Sequence, residues 1–199
     1  MKKLFSVVAT ATIMLAAATG QASARSWRVN NNAARAPHFA DINAAVASDD
    51  VLDGDTLYLD PGCLLTTTQN VTKQLTIVGT GYFLTNSNVQ PAAISGSLYI
   101  KAAGTKIEGL RVSSTDIYIQ ANNVTAERCH VANIYVQGQY ATIRQCYGYH
   151  FYGKGSTSTA SAYCTIENCF LSTSSERDIY DFFMATIRNN YIRLNSATL

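Results

Sequence analysis

ATIRNNYI, residues 185–192, decides the fold, because the same pattern occurs four times upstream without a gap. The copies are TKIEGLRV from Thr105, VTAERCHV from Val124, ATIRQCYG from Ala141 and CTIENCFL from Cys164. Their third residues, Ile107, Ala126, Ile143, Ile166 and Ile187, are 19, 17, 23 and 21 residues apart, and LTIVGTGY from Leu75 is a looser, earlier copy. A second ladder runs in phase with the first: SLYI at 97–100, DIYI at 116–119, NIYV at 133–136 and HFYG at 150–153. Alternation sets Ala185 and Ile187 inward and Thr186 and Arg188 outward, with the equivalent positions following suit. Two strands recurring together at about 20 residues define a coil. An antiparallel sandwich would not repeat like residues at like positions, and the leucines of a leucine-rich repeat are missing. Stacking like on like, each turn about 4.8 Å above the last, is the habit of an all-β parallel β-helix.

Further segments carry a family resemblance. FADINAAVA at 39–47, GDTLYLDPG at 54–62 and KQLTIVGTG at 73–81, with ATIRNNYI and CTIENCFL, resemble the right-handed parallel β-helix of the pectate-lyase-like superfamily. The resemblance implies an N-terminal capping helix, a GDTI-type strand opening the first coil and about six coils. It says little about function, because that fold hosts lyases, hydrolases, esterases, adhesins and inert repeats. Chemistry also supports the helix, since Phe39, Ile42, Ala45 and Val46 share one side at helical spacing.

The N-terminus reads as a secretory signal peptide over residues 1–24: Lys2 and Lys3, an apolar run from Leu4 to Ala18, then Ala22-Ser23-Ala24. The expected division is that signal, a cap over 25–48 and a solenoid over 49–199, incomplete at its C-terminal end, where an uncovered edge would pair with another chain. The expected location is secreted, periplasmic or cell-surface, with no membrane insertion after signal cleavage. Of the 15 Lys and Arg, two lie in the signal, leaving the rest balanced by 13 Asp and Glu. That neutrality excludes a broad basic surface for nucleic acid.

The chain has five cysteines. Cys129, Cys146 and Cys169 share the sixth repeat position with Leu110 and Asn190, just past a fifth position where a bend with φ > 0 is expected. Buried thiols filling a corner is the favoured reading. Parallel Cβ vectors fit a disulfide poorly, and four converging zinc ligands are lacking, so no metal is expected. The outward fourth position, Glu108, Glu127, Arg144, Glu167 and Arg188, reads as a salt-bridge ladder rather than as paired catalytic carboxylates.

The candidate carbohydrate-binding residues are the outward aromatics. Tyr99, Tyr118, Tyr135 and Tyr152 form one column, with Tyr180 as a candidate continuation, and Tyr147, Phe170 and Tyr191 extend another that begins at Arg111 and His130. Mutual packing explains such columns, and so does a sugar platform. Two insertions, 154–162 and 172–178, the second running into IYDFF, supply the catalytic candidates Lys154, Glu176, Arg177, Asp178 and Asp181. A β-elimination lyase would add calcium on carboxylates. The acidic calcium cluster with its downstream arginine pair, and the Asp pairs with Gly-His-Gly, expected from lyase or polygalacturonase relatives are missing from the sequence. The expectation is recognition of an extracellular polysaccharide, with cleavage as a further option; the alternative is a non-enzymatic, adhesin-type structural repeat.

Overall fold

The computed structural model describes residues 23–81, 90–154, 160–173 and 178–194. The signal segment, Glu176 and Arg177 lie outside these residues. Among them the chain is a parallel β-solenoid of about six turns. One sheet stacks Ser26–Val29, Thr56–Leu59, Thr76–Val78, Lys106–Glu108, Thr125–Glu127, Thr142–Arg144, Thr165–Glu167 and Thr186–Arg188. Every neighbouring pair in it is parallel. The register carries Ile77 onto Ile107, Ile107 onto Ala126, Ala126 onto Ile143, Ile143 onto Ile166 and Ile166 onto Ile187. The gapless repeat alignment is therefore the physical register.

A second, bent sheet completes each coil. Its first half stacks Leu64–Leu65, Ala93–Ile94, the start of Arg111–Ile119, the start of His130–Val136, Tyr147–Gly148, Phe170–Thr173 and Tyr191–Leu194. Its second half stacks Gln69–Val71, Leu98–Ile100, the ends of the two long strands, His150–Tyr152 and Ile179–Tyr180. The register shifts between Val131 and Asn133, which turns Ala132 and Asn133 out of the core together and bends the sheet there.

Alternation fills the interior. Leu57, Ile77, Ile107, Ala126, Ile143 and Ile166 are fully buried from the first sheet, and Leu98, Ile117, Ile134 and Phe151 from the second. Ile187 keeps their register but is 50% exposed, because no described residue stacks beyond it. The inward setting read from the repeat is kept, at the end of the stack where the sequence pattern leaves an uncovered edge.

The N-terminal helix spans Ile42–Ala47, shorter than its sequence pattern. Asp41 accepts a bond from the Ala44 amide, and buried Gln69 turns its Oε1 to the Ile42 and Asn43 amides. Between them they satisfy three of the four amides that open a helix. Ile42 and Ala45 are fully buried. Phe39 falls outside the helix, bridging to Val29 and packing 5.5 Å from Trp27, because the Asp41 cap starts the helix after it.

Candidate functional site

From Gly104 onward each coil turns through left-handed backbone on both sides of its first-sheet strand. The corner after the first-sheet strand is at Gly109, Arg128, Gln145, Asn168 and Asn189, with φ from 51 to 66°. This is the expected bend, and it sends Leu110, Cys129, Cys146 and Cys169 into the core at 0 to 3% exposure. The thiols are free and lie within 3.2–3.7 Å of backbone carbonyls. Hydrogen bonds with Cys129 and Cys169, together with burial, push the Cys146 thiol well up, so it stays protonated. Asn190 continues the stack by accepting from the Cys169 amide and donating to the Ile166 carbonyl.

Outside the first sheet, the alternating charges are joined. Lys106 Nζ lies 2.7 Å from Glu108 and 3.2 Å from Glu127, Arg144 lies 2.8 Å from Glu127 and Arg188 lies 2.6 Å from Glu167. Arg128 pairs with Glu108 as well. Burial would push the Glu127 carboxyl up, but hydrogen bonds from Arg144 and Lys106, with their charges, hold it below its ordinary value. A carboxyl so held is a poor proton donor. The ion pairs tie successive coils to one another along this face.

The second sheet presents the aromatics. Tyr99, Tyr118, Tyr135 and Tyr152 stack in series at 4.6, 5.0 and 4.6 Å between centroids, their planes within 8 to 16° of parallel. Tyr180 ends the column edge-on to Tyr152. In the parallel column Tyr147 stacks on Phe170 and Phe170 on Tyr191, while His130 meets Tyr147 edge-on. The successive faces are therefore spent on one another, and what the columns offer outward is ring edges and hydroxyls. Burial and the neighbouring Asp116 carboxylate raise the phenols of Tyr118 and Tyr135. For Tyr152, burial and its bond with Tyr180 raise the phenol well above the ordinary range. All three remain neutral hydroxyls near pH 7.

Sequence reading missed the polar column beside them. Asp116, Asn133, His150 and Asp178 stand two residues before Tyr118, Tyr135, Tyr152 and Tyr180, a signal that lay in the spacing itself. Asp116 accepts from the Tyr118 hydroxyl at 3.2 Å and from Asn133 Nδ2 at 2.8 Å. His150 Nδ1 lies 3.9 Å from Asp178 Oδ1, and Asp178 is buried to 7% exposure. The other described candidates do not join it: Lys154 and Asp181 are exposed, and no ion pair links them to Asp178 among the described residues. Nor does any group of three or more His, Cys, Asp or Glu among the described residues have the arrangement of a metal centre.

Sequence reading missed a second corner too, one residue before each repeat: Gly104, Asn123, Tyr140, Tyr163 and Met184, with φ from 49 to 73°. Tyr140 and Tyr163 stack there at 5.3 Å, 12° from parallel, and are 50% and 46% exposed.

Fold and surface together define a parallel β-solenoid protein with aromatic and polar ladders running along its axis. The chain matches no family model, no curated protein and no solved structure.

Proposed function

We propose that this is an exported β-helix protein, related to the pectate-lyase-like superfamily, that recognises an extended extracellular polysaccharide along the outer face of its second sheet. The observation that carries this reading is the pairing of two ladders, one hydroxyl from Tyr99, Tyr118, Tyr135 and Tyr152 in each coil beside a polar group from Asp116, Asn133 and His150. A polymer lying along the axis would meet the same donors and acceptors at every coil, about 4.8 Å apart. Because the ring faces are occupied, contact is by hydroxyls and ring edges rather than by stacking of sugars on rings.

The test removes hydroxyls and keeps rings. In Tyr118→Phe with Tyr135→Phe the stack survives, so stability should fall by no more than the lost Tyr118–Asp116 bond, about 1 kcal/mol, while retention on a polysaccharide array falls roughly tenfold or more, the loss of one to two hydrogen bonds to the ligand. One observation favours a second reading, an adhesin-type structural repeat: rings this closely self-packed stabilise a solenoid without any ligand. Unchanged retention in the double variant would select it.

Cleavage would need a proton-transferring group on the same face. Candidates for such a group are His150, 3.9 Å from the Asp178 carboxylate, and Asp116 in the same column.

A further inference from the structure

The second corner carries two costs on the same residues. Left-handed backbone suits glycine and asparagine and strains larger side chains, because their Cβ crowds the carbonyl. Gly104 and Asn123 obey that rule, whereas Tyr140, Tyr163 and Met184, at φ 56, 57 and 49°, break it. The first corner also holds larger residues, Arg128 and Gln145, but these are polar chains for which water is a good environment. At the second corner the strained residues are apolar or aromatic and remain in solvent, at 50, 46 and 63% exposure. Neither backbone preference nor burial selects them. The Tyr140–Tyr163 stack offsets part of that strain, and strained residues left in solvent cluster at sites selected for binding.

The geometry describes what would bind. Tyr140 and Tyr163 present stacked rings, and the coil before places Asn123 at their position, so no ring covers the outer face of Tyr140 among the described residues. Beside it stand uncharged amides from the preceding coil: Asn122, which accepts from the Gln139 backbone amide, and exposed Asn123. An aromatic face bordered by uncharged amides suits a neutral sugar ring, whose C–H face packs on the ring while its hydroxyls reach the amides.

We propose that the Tyr140–Tyr163 corner is a second carbohydrate subsite, taking a neutral glycan by ring stacking. It rests on the polysaccharide reading above, with stacking at the corner added to hydroxyl contacts on the sheet.

The test replaces strained rings with a residue that the backbone prefers. Tyr140→Asn with Tyr163→Asn should raise the melting temperature, by about 2–4 °C for each substitution, and lower retention on immobilised neutral glucans and mannans at least tenfold. Tyr140→Phe, which keeps the ring, should retain most of the binding. Unchanged retention in the Asn pair overturns the subsite while leaving the sheet-face reading, tested by Tyr118→Phe with Tyr135→Phe, intact. A lowered melting temperature also overturns it, by showing that the rings are kept for stability. If the unaltered protein is retained on charged polysaccharides but on no neutral glycan, the subsite fails and the sheet-face reading stands; retention on none ends both.

Discussion

From Gly104 onward each coil passes through the left-handed region on either side of its first-sheet strand, and the two corners are filled in opposite ways. At Gly109, Arg128, Gln145, Asn168 and Asn189 the side chains are polar or absent, and the next residue is a leucine or cysteine in the core or, after Asn189, the hydrogen-bonded Asn190. At Gly104, Asn123, Tyr140, Tyr163 and Met184 the same backbone begins with residues suited to it and then switches to exposed aromatics and methionine. Equal geometry with unequal chemistry separates what the solenoid needs from what it tolerates. The first corner is a packing device, and the second holds residues that packing does not select.

The comparison can be broken at several places. The largest expected effect is at the wall common to both corners: Ile143→Ala, fully buried between Tyr140 and Gln145, should cost about 2–5 kcal/mol in urea unfolding. A much smaller loss would mean that the interior is not shared. Next comes the first corner itself. Asn190→Ala removes the acceptor of the Cys169 amide and a donor to the Ile166 carbonyl, so a loss of about 1–3 kcal/mol is expected. No loss would show that this corner does not depend on its inward residues.

The charged face between the corners gives a pH signature. The Glu127 carboxyl is held below its ordinary value of 4.5, so its contribution is complete above that pH and is lost as pH falls through its lowered value. Glu127→Gln should cost about 1 kcal/mol at pH 7, since its partners are partly in solvent. It should also flatten the fall in melting temperature below pH 4.5. An unchanged acid limb would remove the ladder from the stabilising interactions.

Much of the solenoid was legible because its signal is one-dimensional. Ile107, Ala126, Ile143 and Ile166 recur at one repeat position because each must fill the same place in successive coils, and their alignment matched the strand register. The left-handed bend at Gly109, Asn168 and Asn189 was legible for the same reason. Tyr140 and Tyr163 were not, because a tyrosine carries no mark of positive φ and composition assigns it to strands. Asp116, Asn133, His150 and Asp178 differ in residue type, so identity hid a column that spacing would have shown. Self-packing of Tyr99, Tyr118, Tyr135 and Tyr152 was weighed beforehand, but only ring geometry shows that their faces are occupied.

The contrast between the corners is tested most directly by one paired measurement, the unfolding free energies of Gln145→Asn and Tyr140→Asn in urea. Both residues adopt nearly the same backbone, at φ 54 and 56°. Relief of strain should stabilise each variant by an amount on the order of 1 kcal/mol, with no larger loss from the tyrosine. If Gln145→Asn stabilises while Tyr140→Asn destabilises, the exposed ring contributes to the fold and the distinction between the corners is wrong.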